Sequence, residues 1–172
     1  MNAAATQSKV SKSPMLIFSV PKDKDYLAAL GTVSVRHAQL EHILRMTIKT
    51  LAGVSLAEML DATEYQGPGR LRERIGKLAQ SKLKEGQALI KLQAIMRRCE
   101  RASEKRNNLV HGVIAEDFDR DGELLHVRSH GLEELPKVTA LYSLAAELVQ
   151  LTKELNAARL EGFLAEALVN KK

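Results

Sequence analysis

Cysteine occurs once in this chain, at position 99, so no disulfide can form within it, and a reducing, cytoplasmic setting is expected. Long hydrophobic runs are also missing. The one apolar stretch near the N-terminus, residues 15–20 (M-L-I-F-S-V), is too short for the core of a signal peptide. It is far too short to cross a bilayer, so no membrane segment is expected. Tryptophan is absent, phenylalanine and tyrosine occur three times each, and β-branched runs are few. Leu, Ala, Glu, Lys and Arg dominate instead. Most of these lose little rotamer freedom in a helix, so the composition points to a mainly helical protein. With 172 residues there is chain enough to bury the core of one domain, and no internal repeat divides it.

The formal charge of +5 favours a polyanionic partner such as RNA, because bound Lys and Arg release condensed counterions. An excess of this size is also ordinary on solvated helices, so charge alone assigns nothing.

Residues 1–22 read as a flexible tail, loose over 1–13, with 15–20 as an extended strap before Pro21. Residues 23–172 read as a single helical domain. Asp23 or Asp25 caps a first long helix running to about Gly53. Its apolar positions (Tyr26, Leu30, Val33, Leu40, Leu44, Ile48, Leu51) fall in one arc at about 100° per residue. Ser55-Leu-Ala-Glu58 has the form of a capping box and predicts a short second helix to about Asp61. After the break at residues 66–69 (Q-G-P-G), a third helix covers about 70–83. A fourth covers about 87–111, with Gly112 as its C-terminal cap. Asp121-Gly122, between partly apolar arms, predicts a β-hairpin within 113–129, and a last helix follows Pro136 with Leu141, Leu144, Leu148, Leu151 and Leu155 on one face. The expected architecture is an all-α antiparallel bundle carrying one small hairpin after the fourth helix.

Polar residues that interrupt an apolar stripe carry the functional signal. On the fourth helix the stripe runs Leu92, Ile95, Cys99, Ala102 and Val110, and Arg106 projects near its middle. There Cys99 reads as a small buried hydrophobe. A guanidinium cannot shed its charge, so Arg106 aimed at a core or groove needs an anion, from the protein or from a ligand. His37 lies at the centre of the first helix's arc, with Glu41 one turn on, and Glu41 is a natural partner for Arg106 if the two helices pack together. The plain structural reading is a satisfied ion pair beside a core histidine. Asn107 and His111 sit one turn apart on the flank next to Arg106, the three spread over about 140° of the helix. An arginine to hold a phosphate, an amide and a histidine at a helix end suit phosphodiester cleavage.

Residues 106–112, R-N-N-L-V-H-G, resemble the R-x4-6-H motif of the HEPN superfamily in its R-N-x-x-x-H form. Residues 30–51, with Leu40-Glu41 inside them, look like the first long helix of bacterial HEPN-like proteins, and the resemblance spans about residues 25–160. It implies a ribonuclease whose homodimer brings two motifs into one basic cleft. There the ribose 2′-hydroxyl is the nucleophile, a 2′,3′-cyclic phosphate is left, and neither metal nor other cofactor is used. On that resemblance Arg106 and His111 are the catalytic pair, Asn107 supports them and Glu41 orients them, while His37, beside Glu41 on the first helix, is a further supporting candidate. Many members are toxins or defence nucleases, which makes a neutralising partner protein a candidate. Others are non-catalytic dimerisation or nucleotide-binding modules, so fold membership leaves activity open.

Arg120, Arg128 and Lys105 are candidates to line an RNA path, as are Arg70, Arg72 and Arg74, each of which reads equally as solvated charge. His126 and His130, with His37 and His42, lack an H-E-x-x-H or a cysteine pair, so no metal site is expected. Residues 66–70 (Q-G-P-G-R) lack the Lys-Ser/Thr ending of a phosphate loop and read as a turn. No recognition-helix pattern for DNA is present. Two readings remain. An endoribonuclease requires Arg106 and His111 to be accessible, whereas an interaction module requires Arg106 to be tied up by Glu41 and His111 merely to cap its helix.

Overall fold

The computed structural model describes residues 15–83, 85–128 and 131–169. The loose tail expected over residues 1–13, His130 and the Arg120 side chain lie outside the described residues. Contacts divide the chain into two units. One contains the segment up to Lys22 and Gly112–Leu135, and the other contains Asp23–His111 and the segment from Pro136 onward.

The helical unit begins with α1 (Lys24–Ala52). Asp23 caps it by accepting from the backbone N–H groups of Asp25 and Tyr26, at 2.8 and 3.3 Å. Gly53 ends it in the left-handed conformation, φ 72°, donating to the Lys49 carbonyl. Tyr26, Val33, Leu40, Leu44, Ile48 and Leu51 are buried as the periodicity requires, and Leu30 lies at the edge of the face. Burying each of the larger ones stabilises by about 1.5–3 kcal/mol. Then come α2 (Leu56–Thr63) and α3 (Pro68–Leu83). In α2 the Ser55 and Glu58 side chains cap each other's backbone. In α3 Leu71, Ile75 and Ala79 form a buried stripe. α4 (Gln87–Val110) and α5 (Val138–Leu160) complete the core, and a short α6 (Phe163–Val169) follows, which the sequence reading does not foresee. α1 packs against α5 and α3, and α4 against the same two helices. Arg98 of α4 grips the carboxylate of Glu154 of α5 with Nη1 and Nη2, at 2.5 and 3.2 Å.

Two details of α4 depart from expectation. Val110, assigned to the core stripe, is 39% exposed and Leu109 is half-buried, because the buried face ends before the last turn. Gly112 is not the left-handed cap. His111 is the C-cap residue, in right-handed geometry with its N–H on the Asn107 carbonyl at 2.9 Å.

The second unit corrects the expected lone hairpin. It is a four-stranded antiparallel sheet in the order β1 (Leu16–Phe18), β2 (Val113–Asp117), β3 (Glu123–Arg128), β4 (Gly131–Glu134). Both edges of the hairpin are paired. Phe18 sits opposite Ala115 on one side, and Leu125 opposite Glu134 on the other. Part of the segment expected to be a flexible tail is thus a strand, since β2 offers it a free row of backbone donors and acceptors. The β2–β3 turn is built by Asp121 and Gly122, φ 51° and 76°, a pair of positive φ values that Asp-Gly tolerates. No described helix is long and apolar enough to cross a membrane.

Candidate functional site

The polar interruptions of α1 and α4 meet inside the helical unit. Ser103 follows Cys99 by one turn and so falls on the buried face of α4. His37 holds the matching place on α1. Its Nε2 lies 3.2 Å from Ser103 Oγ, and both residues are buried. From α3, Arg72 brings Nη1 to 3.5 Å from the same Oγ and Nη2 to 3.6 Å from Glu100. A guanidinium only donates, so Ser103 Oγ accepts from Arg72 and can pass its own hydrogen to His37 Nε2. Three helices are joined through one hydroxyl.

The surroundings keep His37 neutral. Burial lowers its pKa below the ordinary 6.5, and the nearby Arg106 guanidinium lowers it further. Glu41 opposes the shift and Arg72 adds to it. His37, Glu41 and Arg106 therefore share one neighbourhood, as the sequence suggested.

The expected pairing within that neighbourhood is different. Glu41 Oε1 takes Arg45 Nη2 at 2.8 Å on its own helix, the i,i+4 geometry that one helix meets most easily, and does not pair with Arg106. Arg45 also donates to the Gln66 carbonyl. Arg106 is half-buried, and its Nε is shut off from solvent without a hydrogen-bond partner among the described residues. Its Nη1 donates to Asn107 Oδ1 at 3.2 Å, and no carboxylate forms an ion pair with it among the described residues. Asn107 is exposed.

His111 stands exposed at the end of α4. It follows Arg106 by five positions, which is about 140° around the axis and about 7.5 Å along it. The two side chains leave the helix in different directions.

Of the RNA-path candidates, Lys105, Arg128 and Arg72 are met by carboxylates, whereas Arg74 donates to the Ala62 carbonyl at 2.8 Å. Lys105 Nζ lies 2.9 Å from Glu147, and Arg128 Nη1 lies 2.8 and 3.2 Å from the two oxygens of Glu133. Exposed pairs of this kind contribute about 0–1 kcal/mol and open readily. Among the described residues no group of His, Cys, Asp and Glu side chains gathers that could hold a metal ion. Cys99 is buried, and burial raises its thiol to about 12, so it stays protonated and inert.

Sequence reasoning missed Ser103 and the inward role of Arg72. Ser103 was visible as a polar residue at the i+4 position of the Cys99 stripe. Arg72 gave no such signal, because it flanks its helix's apolar face like any solvated arginine.

No family model, no curated protein and no solved structure matches this chain.

Proposed function

We propose that this protein is a metal-independent endoribonuclease of HEPN type, cutting RNA at a site composed from two copies of the chain. The observation that carries this reading is the state of Arg106, a half-buried guanidinium that Glu41 leaves unneutralised. Such a group calls for an anion, and a backbone phosphate is the anion RNA supplies. On this reading the helical unit is a HEPN-like bundle, and the biological role is that of a toxin or defence nuclease.

The divergence of Arg106 and His111 favours a composite site. A second copy facing the first sets its own histidine against the phosphate that Arg106 holds. The neutral imidazole of one copy takes the proton from the ribose 2′-hydroxyl, and that oxygen bonds to phosphorus. The bond from phosphorus to the 5′-oxygen breaks, and the imidazolium of the other copy delivers a proton to the departing oxygen. A 2′,3′-cyclic phosphate and a 5′-hydroxyl remain. Arg106 offsets the charge gathering on the phosphoryl oxygens, and Asn107, bonded to Nη1, holds the guanidinium in place.

The test incubates the purified chain with mixed-sequence RNA in EDTA, beside His111→Ala and Arg106→Gln. Cleavage is expected to survive the chelator, to leave cyclic ends, and to fall at least about a hundredfold in each variant. Intact RNA at every protein concentration, including those that give a dimer, overturns the reading in favour of an interaction module.

A further inference from the structure

A cleft of about 380 Å³ opens between α3 and α4, within the size range of small-ligand sites. Its floor is apolar. Ile75, Ala79 and Leu92 are buried beneath it and Met96 lines it half-buried. On the α3 side Gly69 and Gly76 lie two turns apart. A Cβ at either would meet no atom within 4 Å, so these glycines leave the cleft open. Gly76 stands in the middle of a helix, where glycine costs about 0.5–1 kcal/mol against alanine.

The charges around this floor are unevenly matched. Glu73 is held by Lys77 at 2.6 Å. Arg72, only 15% exposed at its side chain, reaches Glu100 at 3.6 Å, a long separation for an ion pair. Arg97 lines the cleft and has no ion pair among the described residues. Two guanidiniums thus border an apolar surface: Arg72, held at 3.5 and 3.6 Å by Ser103 and Glu100, and Arg97, without an ion pair among the described residues. The fork of a guanidinium matches a carboxylate, and the floor has no use for further charge.

We propose that the α3–α4 cleft binds a small free carboxylate carrying an apolar chain. The carboxylate sits between Arg72 and Arg97, and the chain lies over Ile75, Ala79, Leu92 and Met96. Arg106 does not line the cleft, although Arg72 also donates to Ser103, and the proposal stands whether or not the chain cuts RNA.

Hexanoate is the probe, and hexanamide is its neutral counterpart of the same shape. Each is titrated into the full chain while backbone amide resonances are followed by NMR. Hexanoate is expected to give saturable shifts clustered in residues 69–79 and 92–100, with hexanamide at least about tenfold weaker. Arg97→Gln, at an exposed position, should weaken hexanoate by about tenfold. Gly76→Leu, which fills the cleft from its helical side, should abolish the shifts while circular dichroism shows the helices intact. Scattered or non-saturating shifts, equal response to the amide, or unchanged affinity in Arg97→Gln would each overturn the proposal.

Discussion

Ser103 Oγ lies 3.2 Å from His37 Nε2, a contact between α1 and α4 in which both residues are buried. Buried polar groups are tolerated only when paired, so this contact fixes how α1 and α4 meet along their lengths. It also sets a neutral imidazole next to the Arg106 guanidinium, whose field disfavours protonation of that ring. The stability of the core and the electrostatics of the proposed catalytic arginine are therefore coupled through one histidine.

Removing the hydroxyl should be costly. Ser103→Ala leaves His37 Nε2 and Arg72 Nη1 without their shared partner, and such losses run to about 1–3 kcal/mol. Urea denaturation at pH 7.5 measures it. The double variant His37→Leu with Ser103→Ala should lose less than the two single losses added, since it leaves no orphaned ring nitrogen. Strict additivity would mean that the two side chains do not act as a pair.

The charges around His37 give a prediction with two signs. Arg106→Gln removes a cation that lowers the His37 pKa, so that pKa should rise. Glu41→Gln removes an anion that raises it, so the pKa should fall further below 6.5. NMR titration of the imidazole resonances in the three proteins reads both. Shifts of the same sign in the two variants would place His37 outside the shared field of Arg106 and Glu41.

Acid stability follows from the same shift. The folded-state pKa of His37 is lowered, so below 6.5 the unfolded chain takes up this proton first. The stability contribution is fully present above 6.5 and is lost as pH falls from there through the folded-state value. Glu154, held low by Arg98, has its ordinary value at 4.5 and releases its share only below that. The interval from 6.5 down to about 5.5 is thus where His37 should dominate. His37→Gln, which cannot titrate, should show a flatter fall in urea midpoint across that interval, and an unchanged slope would exclude His37 as the source.

Much of the helical unit could be read directly from the chain. Asp23, Ser55 and Gly53 announce helix ends by local chemistry, and the leucine spacing of α1 and α5 fixes which face is buried. His37 was legible for the same reason, as a polar residue on a continuous apolar arc. The sheet was legible only in its middle. β1 has three residues and no alternation, and all four residues of β4 are exposed, so neither edge strand carries a period-two pattern. Pairings could not be read either. Helical spacing placed Glu41 near Arg106, yet Arg45 was equally near on its own helix, and which cation wins depends on rotamers that spacing does not encode.

Gly112 shows the same limit and yields the last prediction. Its place after α4 suggested a left-handed cap, but it has no positive φ. What requires glycine there is the His126 ring. A Cβ built on Gly112 would lie 1.8 Å from His126 Nε2 and 2.3 Å from Cε1, and His126 is itself buried. Gly112→Ala must therefore displace a packed ring and should destabilise by about 1–3 kcal/mol, as overpacking generally does. His126→Ala opens a cavity and costs stability on its own, but it also clears the space that the new methyl needs. The double variant should consequently be more stable than the sum of the two single losses allows, by about 1 kcal/mol or more. Thermal and urea unfolding of the four proteins closes the cycle. A Gly112→Ala protein as stable as the parent would show that His126 does not occupy the space in front of Gly112.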